Sequence, residues 1–159
     1  CDNFYRKQQL IGYVHDETAC FFGGVQGNAG LFSNANDLAK LCQMWLNKGT
    51  YGNERILSPK TVELFLTEKS STSRRGLGFD KPDMENPEKS PTAIEASAST
   101  IGHLGFTGTC FWIDPEQELI YIFLCNRVYP SRTHDALSQL NIRPELFSTI
   151  YRSIKNHSK

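Results

Sequence analysis

Gly102-His103-Leu104-Gly105-Phe106-Thr107-Gly108-Thr109, then Cys110-Phe111-Trp112-Ile113-Asp114-Pro115, then Leu119-Ile120-Tyr121-Ile122-Phe123-Leu124-Cys125-Asn126-Arg127, is the stretch that decides the fold. A glycine-flanked strand, a tight turn, a second strand, an Asp-Pro turn and a third, very apolar strand follow one another. The pattern predicts a three-stranded antiparallel meander over residues 101–126. The apolar run from Leu119 to Cys125 has the length of a buried strand and is far too short to span a bilayer.

Upstream, the signals are helical. Asn34 or Ser33 opens a helix, and Asp37 sits where the positive helix N-terminus favours it. Leu38, Leu41, Cys42, Trp45 and Leu46 recur at helical spacing and predict one apolar face, and Gly49 ends the helix as a C-cap. Ser58-Pro59 reads as an N-cap followed by proline at the first helical position, with Val62, Phe65 and Leu66 as the apolar stripe. Residues 69–100, rich in Ser, Thr, Pro and charge, read as a surface loop in which Gly76-Leu77-Gly78-Phe79-Asp80 is a candidate short strand. Downstream, Pro144 starts a new helix, and Phe147, Ile150, Tyr151 and Ile154 predict the face packed on the sheet. Helices followed by a run of strands give an α+β architecture. It is organised as a loop and helical region over 1–68, a loop over 69–100, the meander over 101–126 and terminal helices over 133–156. The terminal helix is expected to cover only one face of the meander, which leaves an open sheet edge for self-association.

Seventeen basic and seventeen acidic residues cancel, and no dense basic run occurs, which excludes nucleic acid and anionic membrane surfaces as expected partners. Five cysteines, an odd number without C-x-x-C spacing, argue against a disulfide framework or zinc ribbon. Most therefore read as small buried apolar side chains, while Cys1 fits either a lipidated N-terminus or an arbitrary boundary. No metal ligand set and no cofactor motif is found: His15-Asp16 reads as a buried, loop-fixing pair, and Gly27-Asn28-Ala29-Gly30 lacks the G-K-[ST] of a phosphate loop.

The order Val14-His15-Asp16, Gly23-Gly24-Val25, Gly27-Asn28-Ala29-Gly30-Leu31-Phe32-Ser33, Asp37-Leu38-Ala39, Arg55-Ile56-Leu57-Ser58-Pro59, Gly102 to Thr109, Trp112-Ile113-Asp114-Pro115 and Asn126-Arg127-Val128 resembles the serine beta-lactamase and penicillin-binding-protein superfamily, over nearly the whole chain. The resemblance implies the C-terminal portion of a beta-lactamase-like fold. It also implies that His103-Leu104-Gly105 is the third catalytic triplet, on an edge strand walling the active site. In such enzymes a serine in an S-x-x-K helix attacks a carbonyl and a tyrosine in Y-x-N assists proton transfer. By the resemblance, His103 is a catalytic wall residue and the Phe106 backbone N–H is an oxyanion donor, a kind of group worth roughly 3–4 kcal/mol. Gly105, Leu104 and Thr107 border the substrate, Gly105 because a side chain there would block the strand edge. Leu104, replacing the usual hydroxyl residue, points opposite to its neighbours and is equally suited to filling core.

The nucleophile is the missing part. No S-x-x-K occurs, and Tyr51-Gly52-Asn53 reads as a plain turn between two helices although it matches Y-x-N. An imidazole titrates about 4 units below a lysine ammonium, so a histidine at the triplet need not be charged at neutral pH. The expectation is the C-terminal part of a bacterial serine hydrolase, periplasmic or secreted, with association to the outer membrane left open. It would act on ester, amide or cell-wall peptide bonds of a small-molecule or peptidoglycan-derived substrate, with the missing N-terminal half of the domain as its partner. The alternatives are a non-catalytic cell-wall-binding module and an accessory domain of a multidomain cell-wall glycosidase.

Overall fold

In the computed structural model, which describes residues 2–67 and 69–157, the chain is a three-stranded antiparallel sheet with helices on both faces. Strands β3 (Ile101–Leu104), β4 (Cys110–Asp114) and β5 (Leu119–Phe123) follow in sheet order as in sequence. The register pairs His103 with Phe111 and Trp112 with Tyr121. Strand alternation sends two sets of side chains to opposite faces. Ile101 and Ile113, with Phe111, Ile120 and Ile122 beside them, meet Cys42, Trp45 and Leu46 of helix α2 (Ala35–Leu46). Cys110, Trp112 and Tyr121 meet Phe147 and Tyr151 of helix α5 (Ile142–His157). Tyr121 stacks on Phe147 with ring centroids 4.5 Å apart. The meander is thus covered twice, by α5 and also by α2, where one covered face was expected.

Local signals set most of the elements. Asn34 caps α2, its side chain accepting from Asp37 N–H at 3.0 Å. The C-terminus of α2 is a Schellman motif. Lys48 N–H donates to Trp45 O and Gly49 N–H to Met44 O, so the left-handed C′ residue is Lys48 (φ 53°) and Gly49 follows it, one position from where the cap was expected. The expected stripe of α2 is also shifted: Met44 is buried and Leu41 is exposed. Tyr51-Gly52-Asn53 is a turn, joining β1 (Thr50–Tyr51) to β2 (Glu54–Arg55) by two residues with Gly52 at positive φ. Helix α3 (Pro59–Thr67) starts at the expected proline, with Ser58 Oγ accepting from Thr61 N–H. Short α1 (Glu17–Phe21) and α4 (Ala136–Gln139) complete the set, and Pro144 lies inside the first turn of α5 rather than at its start. Ile150 and Ile154 of α5 are exposed, so only Phe147 and Tyr151 of its expected stripe reach the sheet.

Three further expectations are corrected. Residues 76–80 form no strand: Asp80 makes a single antiparallel bridge to Gly102. The second half of 69–100 is not a surface loop, since Ser90, Thr92, Ala93, Ala96 and Thr100 are buried. Ala93 and Ala96 are small enough to pack under α5, and the polar backbone around them is anchored on Asp114. Asp114, fully buried, accepts from Tyr151 Oη at 2.5 Å, Ser97 Oγ at 2.7 Å, Ser97 N–H at 3.2 Å and the Glu116 and Gln117 amides. Finally, β5 stops at Phe123, short of Cys125, and of its residues only Tyr121 is buried. Cys42 and Cys110 are buried free thiols and Cys20 and Cys125 are half-buried, so two of the four described cysteines are buried where most were expected to be. Cys1 and the His157 side chain lie outside the described residues.

Candidate functional site

Gly102 sets the position of the triplet. A Cβ there would strike Phe111 O and the Trp112 ring, so only glycine allows β3 to lie this close on β4. Its backbone N–H and C=O pair with Asp80, which occupies the outer edge of β3 at that rung. Past it the chain presents His103, Leu104 and Gly105.

His103 is half-buried, and both ring nitrogens are engaged. Nδ1 lies 2.9 Å from Leu104 O and Nε2 lies 3.1 Å from Arg75 Nη1. A carbonyl only accepts and a guanidinium only donates, which assigns the proton to Nδ1 and the lone pair to Nε2. Arg75 is in turn 3.7 Å from the buried Asp80 carboxylate, which Arg74 holds at 2.8 Å. Arg75 also lines a cleft of about 180 Å³ with Lys69, Ser70, Gly76 and Leu77. Leu104 does not join His103: its side chain packs against the core cluster on the α5 side.

The turn after the triplet has an unusual polarity. Gly105 O accepts from Gly108 N–H at 3.0 Å, Phe106 O from Arg127 Nε at 2.7 Å, Thr107 O from Arg127 N–H at 2.9 Å and Gly108 O from Arg143 Nη1 at 3.2 Å. Four consecutive carbonyls are tied back, while the Phe106 N–H meets no acceptor among the described residues. Gly105 N–H donates to Thr109 O, and a Cβ on Gly105 would meet Thr109 Oγ1, so a side chain there displaces the Thr109 hydroxyl. Gly108 (φ 108°) is packed against Cys125 Sγ and Leu137. Thr107 is half-buried beside it.

The exposed Phe106 ring lies under Arg127, whose guanidinium carbon is 4.4 Å from the ring centroid, and beside His15 at 5.6 Å. The expected His15-Asp16 pair divides. Asp16 does fix the loop, accepting from Ala19 N–H at 2.7 Å as the N-cap of α1. His15 anchors through its backbone carbonyl, which accepts from Arg6 Nη2. Its Nε2 is buried without a hydrogen-bond partner among the described residues. Burial first, and then the neighbouring Arg132 cation, hold the imidazole below the usual histidine range. Among the described residues no three His, Cys, Asp or Glu side chains converge as a metal-binding group.

Residues 4–143 match the model of a family described as Beta-lactamase. The chain belongs to the Beta-lactamase family. Among its relatives are proteins named "Putative D-alanyl-D-alanine carboxypeptidase" in Salmonella paratyphi B and Salmonella newport, each 38% identical over 144 residues. The match covers 89% of this chain and 32% of each relative, so the chain spans about a third of the length of the curated relatives it matches. A solved structure titled "Crystal structure of putative beta-lactamase from Bacteroides dorei DSM 17855" is similar at 18% identity with a TM-score of 0.44, over 71% of this chain and 39% of that one.

Within this Beta-lactamase-family chain, sequence reasoning missed Arg75. It lies 28 positions from His103 in a charge-rich stretch whose local pattern says only that it is polar. Arg127 was visible in Asn126-Arg127-Val128, but nothing local marks its reach back to Phe106, 21 positions away.

Proposed function

We propose that this chain supplies one wall and the oxyanion turn of a serine hydrolase active site whose nucleophile lies in another part of the same protein. The observation that carries the reading is the Gly105–Gly108 turn directly after the triplet, with its carbonyls tied back and the Phe106 N–H free, in a chain of the Beta-lactamase family. A preorganised N–H of this kind stabilises the oxyanion of a tetrahedral intermediate. The reaction is acyl transfer to water. An upstream serine attacks an ester, amide or peptide carbonyl, the leaving group departs with a proton, and water releases the acyl group. His103 borders the reacting groups, and Gly105 and Thr107 line the strand edge along which substrate lies. The carboxypeptidase name of the relatives supports a peptide ending in D-alanine as substrate, and a periplasmic or secreted location is the compartment that fits that substrate. The missing half of the domain is the partner that supplies the nucleophile, and the outer edge of β5, which pairs only with β4 among the described residues, is where it or a second copy adds a strand.

The test uses full-length protein with a p-nitrophenyl ester, nitrocefin and a D-alanyl-D-alanine peptide. His103→Ala is expected to lower kcat/KM about a hundredfold or more with little change in melting temperature. Wild-type turnover in this variant removes His103 from the site. A full-length protein that turns over none of the three but binds peptidoglycan supports the cell-wall-binding module instead.

A further inference from the structure

We infer that Arg127 is the positioning residue for the oxyanion donor, and this rests on the hydrolase reading through the role given there to Phe106. Five contacts converge on the one residue. Its backbone N–H holds Thr107 O and its Nε holds Phe106 O. Its Nη1 reaches Arg132 O at 3.2 Å and His134 O at 2.6 Å, and its guanidinium covers the Phe106 ring at 4.4 Å.

A peptide unit is planar, so holding a carbonyl fixes the direction of the N–H on its far side. Gly108 N–H holds the Gly105 carbonyl and thereby aims the Phe106 N–H outward. Arg127 fixes the next plane and the ring, so Phe106 is clamped on both flanks of its Cα and its φ and ψ have little freedom. The clamp extends to the 131–135 loop, which Arg132 joins to Glu17 by an ion pair. The turn is therefore braced from the end of the sheet and from the N-terminal segment together. Arginine suits the role because its planar fork carries five donors, whereas lysine offers a single charged centre.

An oxyanion donor acts in the transition state, so a positioning defect lowers kcat and weakens tetrahedral adducts while leaving KM nearly unchanged. The experiment measures p-nitrophenyl acetate hydrolysis and phenylboronic acid inhibition in the full-length protein. In the inhibited form, boron accepts a lone pair from the serine oxygen and becomes tetrahedral, while the serine hydroxyl proton passes to the general base of the upstream half. The variants are Arg127→Ala, Arg127→Lys and Phe106→Pro. Proline removes the N–H and suits the second position of the turn, where φ is not positive. Removing an oxyanion donor outright typically lowers kcat by 10²–10³. Arg127→Ala is expected to lower kcat and boronate affinity together by roughly ten- to hundredfold at near-constant KM, with Arg127→Lys intermediate. A fall in melting temperature with boronate affinity and kcat per active site at the wild-type level makes Arg127 structural only and overturns the inference. If Phe106→Pro loses activity and Arg127→Ala does not, the positioning role alone fails. If Phe106→Pro is fully active, the oxyanion role of Phe106 fails and takes the inference with it. Full-length protein with neither turnover nor boronate inhibition overturns the hydrolase reading and the inference together.

Discussion

Along the sheet, Ile101, Trp112, Ile113 and Tyr121 are buried between α2 and α5. In residues 2–34, Phe4, Ile11, Tyr13, Phe21, Phe22, Val25, Leu31 and Phe32 stand largely in solvent, Leu31 at 85% exposure. What orders the N-terminal segment is polar. The Asp2 carboxylate accepts from the Phe4, Tyr5 and Arg6 amides and from Arg6 Nε, and Arg6 goes on to hold Val14 O and His15 O. The sheet is a core that buries its own apolar side chains. The N-terminal segment is a shaped surface whose apolar side chains are spent outward. Both border Phe106, the sheet through β3 and Arg127 and the segment through His15, so the candidate site lies on their seam. The difference separates what holds this chain together from what it presents outward.

The sharpest way to break the comparison is in the sheet. Trp112→Ala leaves a cavity between β4 and α5 and is expected to cost about 3–5 kcal/mol, read by urea denaturation. A loss below 1 kcal/mol would mean that the sheet is no more a core than the N-terminal segment is.

Next in size is Asp114, which ties α5, Ser97 and the β4–β5 turn to one carboxylate. Burial acts to raise its pKa. The hydrogen bonds from Tyr151, Ser97 and Gln117 outweigh it, so the group lies below the ordinary carboxylate value. Tyr151 is pushed up by burial and by the same carboxylate. Asp114→Asn places an amide N–H₂ among donors and is expected to cost roughly 2–4 kcal/mol. Because the folded carboxyl is the stronger acid, its contribution is complete above the unfolded value near 3.9 and is lost as pH falls through the lower folded value. Wild-type stability should fall on acidification below about pH 4, and Asp114→Asn should show a flatter slope there. Parallel slopes in the two proteins would remove Asp114 from the account.

The longer helices and the meander were legible because each carries a local signal: Asn34 and Ser58-Pro59 as caps, the Asp114-Pro115 turn, and glycines around the triplet. Helix α1 and the β1–β2 pair were not read. The candidate triplet was legible through Gly102 to Thr109 together with the order of its neighbours. What was not legible is long-range and polar. Asp114 meets Tyr151 across 37 positions, Arg75 meets His103 across 28 and Arg127 meets Phe106 across 21. A polar side chain in a loop has the same composition whether it faces water or a distant partner, and for that reason 69–100 read as surface while Ser90, Thr92, Ala93, Ala96 and Thr100 within it are buried. The stripes of α2 and α5 were right in period and wrong in width: Leu41, Ile150 and Ile154 continue the pattern but lie beyond the reach of a three-stranded sheet.

Arg6→Ala tests the polar half of the comparison. It removes the donors to Val14 O and His15 O and leaves Asp2, held well below the usual carboxylate range first by the Tyr5 amide and then by Arg6, with backbone partners alone. The expected loss is roughly 1–3 kcal/mol of local stability. Hydrogen exchange should show it as faster exchange over residues 2–16 with protection of β4 unchanged. Equal loss of protection in β4 would show that segment and sheet unfold as one unit.

The smallest expected effect is the most discriminating. Leu31 is an apolar side chain held in water, so in the chain by itself Leu31→Ser should change stability by no more than about 0.5 kcal/mol. In the full-length protein, where the proposed missing half covers this face, the same substitution exchanges a buried isobutyl group for a hydroxymethyl and should cost at least about 2 kcal/mol. The prediction is a difference between two measurements of one substitution, so it is insensitive to what serine does within the segment. Urea denaturation of both forms, each with and without the substitution, reads it directly. A small effect in both places the face in solvent and removes the missing half from it. A large effect in both contradicts the exposure of Leu31 and joins the N-terminal segment to the core. Only the asymmetric result makes residues 2–34 the surface on which the rest of the active site is assembled, with the Phe106 turn at its border.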